Sequence, residues 1–263
     1  MTESVAHNNK SVVVRALTKE YRGPGGDPFR AVDSVSFEAV SGRIFGLLGP
    51  NGAGKTTAFR MLSTLIPPTS GDAELGGISV TRSPSDVRRQ IGFLTGSTGL
   101  YPRLTAREVV RYFALLYGLP RDDVETRIDS LFEQFEVTPF QHKRCGALST
   151  GMQQKVSIAR AIVHDPPILI MDEPTTGLDV LASKHIVDFI LRSRDEGKCV
   201  LFSTHIMSEA ERLCDEIAII HRGRIVASGT VDDLRNQTGE TKIEDVFLAV
   251  LAMGDERREA ASL

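Results

Sequence analysis

The sequence predicts an α/β fold with a mainly parallel sheet flanked by helices, and three observations support this prediction. Short apolar runs rich in β-branched residues alternate with longer stretches of helical period, which is the order of elements in α/β proteins. Three runs, Ile44–Leu48, Ile168–Met171 and Val200–Phe202, are almost continuously apolar, as expected of central strands covered on both faces. Two later runs flank a turn at Gly223, which predicts a hairpin and therefore an antiparallel edge.

Length and composition are those of a folded protein without a nucleic-acid partner. The chain has 263 residues, of which 41% are hydrophobic and 25% charged, and this composition excludes disorder as the main state. Its formal net charge of −3 provides no basic field for a polyanionic backbone, so nucleic acid is not expected as a partner. The longest apolar run, Val246–Met253, is far shorter than the roughly 20 residues that cross a bilayer, so no membrane span is expected.

The cysteines and the amino terminus predict a cytoplasmic location. Cys145, Cys199 and Cys214 are odd in number and widely spaced, which does not favour a disulfide framework. The charged amino terminus lacks the apolar stretch of a signal peptide. We therefore expect the cysteines to be small buried residues in a reducing compartment, with no zinc site.

The other elements follow from local patterns, taken in chain order. Ser34–Ala39 alternates polar with apolar residues, which predicts a strand with one exposed face. Residues 97–150 have a helical pattern with balanced charges, which predicts a helical insertion in the sheet domain. The hairpin strands are Ile217–Ile220 and Ile225–Ala227, and the tail beyond them contains one amphipathic segment, Ile243–Met253.

Three capping boxes predict where helices begin. In such a box a serine or threonine and an acid or amide three residues later satisfy each other's backbone N–H groups. The pairs are Thr105 with Glu108, Thr150 with Gln153, and Ser208 with Glu211. We therefore expect a helix to start directly after each of the three hydroxyl residues.

A phosphate-binding motif follows the first central strand. Gly49–Thr57 has the sequence GPNGAGKTT, which satisfies the G-x-x-x-x-G-K-[ST] pattern of the P-loop. Its glycines let backbone N–H groups converge on a polyphosphate, and the helix beginning near Lys55 adds the positive end of its dipole. Lys55 is expected to reach the β and γ phosphates and the hydroxyl of Thr56 to bind Mg²⁺; the alternative is a chance glycine-rich turn. The expected nucleotide contacts here are Gly49, Pro50, Asn51, Gly52, Ala53, Gly54, Lys55, Thr56 and Thr57.

Two acids end the second central strand. Asp172 and Glu173 follow the apolar run of this strand, which places them at the carboxyl edge of the sheet beside the P-loop. Asp172 is expected to hold Mg²⁺ through water, and Glu173 to act as the general base toward a water that attacks the γ phosphorus. The alternative is a pair of solvated acids at a strand end.

A third motif, at Leu148–Gln154, resembles a sequence that is typical of one protein family. Leu148–Gln154 has the sequence LSTGMQQ and resembles the signature sequence of the ATP-binding subunit of ABC transporters. A small hydroxyl residue and a glycine at a helix start form an anion-binding helix end. The resemblance runs from about Val12 to Val231 and implies an ABC ATPase fold that uses ATP and Mg²⁺. It also implies that Ser149 and Gly151 face the γ phosphate held by a partner subunit, so that two ATP molecules lie between the subunits of a homodimer.

Three further residues match positions of this family. Asp179, in TGLD, occupies the place of the D-loop that ties the two catalytic sites together. His205, in STH, matches the switch histidine, which implies a hydrogen bond to the γ phosphate; a lone histidine here is otherwise structural. Tyr21, in LTKEY, matches the aromatic residue that stacks on adenine, the alternative being a core or surface aromatic.

Two positions depart from the family pattern. Gly96 stands where the family usually has a glutamine that contacts Mg²⁺ and relays to the transporter. Glycine has no ligating side chain, so the resemblance leaves this metal contact in doubt and a relay through the backbone open. Thr150 replaces the usual middle glycine of the signature, where its hydroxyl suits a helix cap.

The resemblance also implies partners. One nucleotide site without a membrane span implies two copies joined to integral membrane permease subunits, with the chain peripheral on the inner face of the membrane. The segment 92–108, GFLTGSTGLYPRLTARE, resembles the NatA-type branch of exporters, associated with sodium extrusion, whose relatives export drugs or other solutes. We expect export, because only a short tail follows the hairpin where importer subunits often carry a regulatory domain. The expected cargo is sodium ions, the alternative being a drug, an antibiotic or another solute.

The expected domain organisation is one ATPase domain with a short tail. Residues 1–235 form the ATPase domain, a helical subdomain spans about 97–164, and 236–263 are a helical tail. A chromosome-maintenance ATPase of the same superfamily would need a coiled-coil insertion between P-loop and signature, but Lys55 and Ser149 are only 94 positions apart. A tandem ribosome factor would carry two nucleotide sites, and a non-enzymatic ATP-binding module would lack the base at Glu173.

Overall fold

Two β-sheets and the helices around them make up the fold. In the computed structural model the residues described are 12–23, 26–95 and 99–260. The strands of these residues are β1 (Val12–Arg22), β2 (Pro28–Ala39), β3 (Ile44–Leu48), β4 (Ser70–Leu75), β5 (Ile78–Ser79), β6 (Ile91–Thr95), β7 (Ile168–Asp172), β8 (Cys199–Thr204), β9 (Glu216–His221) and β10 (Arg224–Gly229). The helices are α1 (Lys55–Leu62), α2 (Pro84–Gln90), α3 (Ala106–Leu116), α4 (Arg121–Gln134), α5 (Thr150–Ile162), α6 (Val180–Asp195), α7 (Met207–Leu213), α8 (Val231–Thr238) and α9 (Ile243–Ala260), with 3₁₀ turns at Thr138–Phe140 and Cys145–Ala147.

The larger sheet has the mainly parallel organisation that the apolar runs predict. Its order is β10-β9-β3-β8-β7-β6, with β9, β3, β8, β7 and β6 parallel and β10 antiparallel at the edge. The three near-continuous apolar runs are the central β3, β7 and β8, and every residue of these strands is buried. The predicted hairpin is confirmed as β9 and β10.

The parallel register decides where the site lies. Leu48 at the end of β3 is opposite Thr204 at the end of β8, and Asp172 at the end of β7 is opposite Ser203. Because adjacent parallel strands end at the same edge, the loops after β3, β7 and β8 come together there. This edge carries the P-loop, the two acids and His205.

A second sheet, of order β2-β1-β4-β5 and antiparallel throughout, was not expected. Ser34–Ala39, predicted as a strand, forms the end of β2 and pairs with β1. The pairing of β1 with β2 is interrupted by register shifts, which blur the alternation that would have identified β1 in the sequence. Phe37 of β2 stacks on Phe45 of β3 at 4.6 Å between ring centroids, so the core continues from one sheet to the other.

The region expected to be helical contains α3, α4 and the two 3₁₀ turns, and no strand lies in its described part, 99–149. The capping box at Thr105 is confirmed: its hydroxyl accepts from the N–H of Glu108 at 3.2 Å, and Glu108 accepts from the N–H of Thr105 at 2.8 Å. Arg107 of α3 pairs with Glu125 and Asp129 of α4. These ion pairs hold the two helices side by side.

The other two capping boxes are wrong. The cap of α5 is Ser149, whose hydroxyl accepts from the N–H of Met152 at 3.3 Å, while Gln153 donates to the carbonyl oxygen of Cys145. Gln153 is thus engaged by the preceding turn and does not reach back to Thr150. Ser208 lies inside α7, which begins one residue earlier because β8 runs into it almost directly.

The tail is longer than expected and packs on the larger sheet. α9 extends beyond the predicted Ile243–Met253, and α8 spans the boundary expected at residue 235. Val246, Phe247 and Val250 of α9 are buried in one cluster with Ile217 and Ile219 of β9. None of the helices in the described part of the chain has both the length and the apolar composition needed to cross a bilayer. Among the cysteines, Cys145 and Cys199 are buried as expected, whereas Cys214 is only partly buried.

Candidate nucleotide site

The P-loop connects β3 to α1 and has a backbone that only glycine permits at two points. A side chain on Gly49 would place Cβ 2.4 Å from the carbonyl oxygen of Ile220, and one on Gly54 would place it 2.4 Å from that of Ala31. Gly54 also has φ of 110°, in the left-handed region that side chains disfavour. No acid lies in the first turn of α1, so the positive end of the helix remains available to an anion.

The side chain of Lys55 contacts both the P-loop and the carboxyl edge of the larger sheet. Its side chain is 4% exposed, and its ammonium donates to the carbonyl oxygens of Gly49 at 2.7 Å and Pro50 at 3.1 Å. The same nitrogen lies 3.1 Å from Oε1 of Glu173. The P-loop cation and the proposed base are therefore paired directly.

Asp172 and Glu173 are held by the neighbouring strand β8. Asp172 is 3% exposed, and Oγ of Ser203 donates to its Oδ1 at 2.6 Å. The N–H of Glu173 is bonded to the carbonyl oxygen of Ser203 at 3.1 Å and to Oγ at 3.0 Å. Glu173 has φ of 47°, in the left-handed region, so its backbone leaves the strand sharply and turns its carboxylate toward the P-loop.

The carboxylate of Glu173 lies between three polar groups. Besides Lys55, it accepts from the hydroxyl of Thr176 at 3.2 Å, and its Oε2 lies 3.2 Å from Nδ1 of His205 without the alignment of a hydrogen bond. Burial by itself raises the pKa of Glu173, but the hydrogen bond and the charge of Lys55 outweigh burial and bring this pKa below its ordinary value. Glu173 is therefore ionised at neutral pH and available as a proton acceptor.

A cleft of about 1030 Å³ opens above the P-loop and is long enough to hold more than phosphate groups. Tyr21 is at one end, 37% exposed, and stacks on Phe29 with 5.8 Å between ring centroids. Tyr21 and Phe29 are opposite each other in the pairing of β1 with β2. Sequence reasoning found Tyr21 but missed Phe29, because the partner across an antiparallel pair depends on a register that local patterns do not give.

Four charged residues of the cleft were also missed. They are Arg30, Asp33, Arg222 and Arg224. Asp33 is buried and accepts from Nε of Arg224 at 2.7 Å and from Arg30 at 3.3 Å. The sequence predicted the turn at Gly223 but not its place beside the P-loop, where the N–H of Gly223 donates to the carbonyl oxygen of Ala53 at 2.9 Å.

Ser149, Gly151 and Asp179 form a second group outside the cleft. None of the three is among the described residues that line it. Ser149 caps α5, Asp179 caps α6 by accepting from the N–H of Ala182 at 2.8 Å, and a Cβ on Gly151 would lie 3.8 Å from Ala182. Gln154 of α5 donates to the carbonyl oxygen of Pro174, which connects this group to the loop after Glu173.

The metal donors are sparse but suit Mg²⁺. Within the described residues no three histidine, cysteine, aspartate or glutamate side chains are placed to hold a metal. Mg²⁺ commonly takes one or two protein oxygens and completes its octahedron with phosphate and water. Thr56 lines the cleft, and the buried Asp172 supplies carboxylate oxygens at the end of β7, next to Glu173, so the chemistry of this donor set fits. Gly96, where the glutamine of the family is replaced, lies outside the described residues.

Comparison with known proteins decides the family. A family model described as ABC transporter matches residues 32–176, more than half of the chain. The chain belongs to the ABC transporter family. This ABC transporter chain is similar to the ABC transporter ATP-binding protein NatA of Bacillus subtilis, with 41% identity over 226 residues, 86% of this chain and 92% of NatA. It is also similar to the doxorubicin resistance ATP-binding protein DrrA of Mycobacterium tuberculosis, with 36% identity over 91% of this chain and 72% of DrrA.

Solved structures of ABC transporter cassettes have the same fold. A structure of the ATP-binding subunit of an ABC transporter matches with a TM-score of 0.83 and 32% identity, covering 91% of this chain and 99% of the other. A dimeric post-hydrolysis structure of the cassette MJ0796, bound to ADP and Pi, matches with a TM-score of 0.77 and 26% identity, covering 84% and 98%. The predicted ABC ATPase fold is confirmed. The chain is an ATP-binding and ATP-hydrolysing subunit of this family.

We expect Lys55→Ala to weaken ATP binding, because it removes a charge-assisted contact worth roughly 1.5 to 3 kcal/mol. The measurement is titration with a fluorescent ATP analogue at fixed salt and Mg²⁺. Lys242→Ala removes the same charge from an exposed position on the tail and serves as the control. Equal affinities for the wild-type chain and Lys55→Ala would contradict the assignment of Lys55.

Proposed function

We propose that this chain hydrolyses ATP to drive export through separate membrane subunits. The observation that carries the proposal is the place of Glu173, between Lys55 and His205 at the edge of the sheet that holds the P-loop. One carboxylate there is within reach of both the phosphate-binding cation and the histidine. This arrangement suits in-line attack of water on a terminal phosphate.

In the proposed mechanism the chain positions ATP and removes one proton. The adenine stacks on Tyr21, and the backbone N–H groups of 49–57 hold the phosphates. Lys55 exchanges its contact with Glu173 for the β and γ phosphates, which frees Glu173 to accept the proton of the attacking water. His205 donates to the γ phosphate, which keeps the phosphate aligned with that water.

Mg²⁺ would be held by the hydroxyl of Thr56 and, through water, by Asp172. When bound, it neutralises the charge on the β and γ phosphate oxygens. Ser203 supports this role because its hydrogen bond fixes the orientation of the Asp172 carboxylate before any metal arrives.

We further propose a homodimer in the ATP-bound state. Cassettes of this family dimerise, and the MJ0796 neighbour is a dimer bound to ADP and Pi. Ser149 and Gly151 lie at the start of α5 and do not line the cleft of their own chain, which suits a helix end that meets a phosphate of the partner. Asp179, close to them through α6, would lie at the same interface. Residues 1–235 would form the ATPase domain, with the helical subdomain at about 97–164 and the tail at 236–263.

Cassettes of this family work with membrane permease subunits, and one groove of this chain is suited to such a partner. The groove, of about 440 Å³, lies between α1, α2, β6, α3 and α5. It is lined mainly by apolar side chains and by three arginines, Arg60, Arg88 and Arg160. No acid is among the described residues that line it. Arg160 is 8% exposed, lies 5.2 Å from the Phe113 ring, and burial lowers its pKa. We propose that a cytoplasmic segment of the permease with an acidic side chain docks here and holds the chain on the inner face of the membrane.

If the permease docks in this groove, reversing the charge of one groove arginine should weaken the association of the chain with membranes. Arg60→Glu, at the exposed rim, is expected to lower the share of the chain that sediments with membranes of its host several-fold, because it repels an acidic segment. Arg212→Glu on α7 makes the same charge change outside the groove and is the control. An unchanged membrane share in Arg60→Glu would contradict the groove as docking site.

For the cargo, we propose sodium ions, supported by 41% identity to NatA. A drug exporter is the second candidate, supported by the similarity to DrrA, a doxorubicin resistance protein. The test is deletion of the chain from its host, followed by complementation with wild type or Glu173→Gln. Sodium export predicts that the deletion raises sensitivity to NaCl, and drug export that it raises sensitivity to doxorubicin. In each case wild type, but not Glu173→Gln, should restore tolerance. A deletion that raises sensitivity to neither NaCl nor doxorubicin would contradict both cargoes.

A further inference from the structure

The last helix contacts the turn of the β9–β10 hairpin through one carboxylate. Oδ1 of Asp255 on α9 lies 3.2 Å from Nε2 of His221 and 3.2 Å from Nη1 of Arg222. The His221 ring is largely buried, and its Nδ1 has no hydrogen-bond partner among the described residues. Among the described residues, the hydrogen-bond partner of the His221 ring is therefore Oδ1 of Asp255, which bonds Nε2.

The turn that Asp255 holds has a backbone that is unfavourable for one of its residues. Arg222 has φ of 46° and Gly223 has φ of 81°, both in the left-handed region. Glycine adopts this region readily, whereas arginine does so at an energetic cost. A contact that holds Arg222 in place therefore contributes to keeping the turn in this conformation.

The same turn lines the cleft and contacts the P-loop. The N–H of Gly223 donates to the carbonyl oxygen of Ala53 at 2.9 Å, and the carbonyl oxygen of Gly223 accepts from Asp33 at 2.8 Å. Because the peptide is planar and trans, fixing the carbonyl oxygen of Ala53 turns the N–H of Gly54 in the opposite direction, away from the turn. The turn thus sets the orientation of one N–H group of the phosphate loop.

The helix that carries Asp255 is firmly packed. Val246, Phe247 and Val250 are buried against β9. A Cβ on Gly254 would lie 2.9 Å from Cγ1 of Val226, so the last described part of the helix lies close against β10. Asp255 is therefore presented to the turn from a fixed position.

We propose that Asp255 is a positioning residue for ATP: through His221 and Arg222 it holds the turn that orients the phosphate loop, so that nucleotide affinity depends on the last helix. The inference rests on the proposed nucleotide site. It assigns to the tail a role that its sequence, an amphipathic segment followed by charged residues, does not reveal.

The test is ATP affinity in Asp255→Asn, measured by titration of the whole chain with a fluorescent ATP analogue in the presence of Mg²⁺. The dissociation constant is expected to rise roughly threefold to fivefold, the upper range for loss of a partly exposed charged contact that acts on binding. Asp245→Asn, an exposed acid in the first turn of the same helix, is the matched control and should bind like wild type.

Repeating the test in an Arg222→Gly chain distinguishes a positioning role of Asp255 from a general loss of stability. Arg222→Gly favours the left-handed turn by itself, so adding Asp255→Asn to it should change the dissociation constant less than twofold. An Asp255→Asn chain that binds within twofold of wild type, or an equal loss in the Arg222→Gly background, would overturn the proposal. If Asp255→Asn does not fold, His221→Gln tests the same contact by the same titration. A wild-type chain that binds no ATP would instead refute the nucleotide site.

Discussion

Glu173→Gln is expected to bind ATP and to lose at least a hundredfold in turnover, since general bases contribute about 10² to 10⁴ in rate. The amide keeps the size of the side chain but does not accept the proton of the attacking water. Binding should not suffer, because the neutral amide no longer competes with phosphate for the ammonium of Lys55, 3.1 Å away in the wild-type chain. The dimer is therefore expected to persist with ATP trapped in it.

The measurement combines phosphate release with size-exclusion chromatography in ATP and Mg²⁺. Glu196→Gln, a change of the same kind at the exposed end of α6, is the matched control and should turn over like wild type. The pH dependence gives a further check. Because the pKa of Glu173 lies below its ordinary value of 4.5, its protonation should reduce turnover only in more acidic solution. If Glu173→Gln turned over ATP at the wild-type rate, Glu173 would not be the general base.

Mixing two inactive variants is expected to restore activity if each site uses residues of both subunits. Lys55→Ala damages the P-loop side, and Gly151→Asp places a negative charge in the first turn of α5, which has none in the wild-type chain. The added side chain has room, since a Cβ on Gly151 would lie 3.8 Å from that of Ala182. In a heterodimer both lesions then fall in one composite site and the other site is intact.

An equimolar mixture should recover about a quarter of wild-type activity, because half of the dimers are mixed and each has one intact site. Each variant alone is the control and should be inactive. The two variants must be incubated together before ATP is added, so that subunits exchange between dimers. A mixture as inactive as its components, together with a wild-type rate linear in protein concentration, would contradict the shared site.

Local sequence patterns predicted part of the fold, and the rest depends on contacts between distant segments. Ile44–Leu48 and Ile168–Met171 were identifiable as strands because central parallel strands are apolar throughout, and the P-loop because its spacing is fixed by phosphate. The antiparallel sheet and Phe29 were not, because they depend on pairing between distant segments. The start of α5 was placed one residue late, because Ser149 and Thr150 are both good caps and the choice depends on where Gln153 bonds.

The left-handed backbone at Glu173 implies a conflict between selection for stability and selection for activity. Glycine or asparagine would occupy this position with less strain, so drift under selection for stability alone would replace the glutamate. Such a chain would lack the proposed general base. A Glu173→Gly or Glu173→Asn chain is therefore expected to be at least as stable as wild type and to lack turnover.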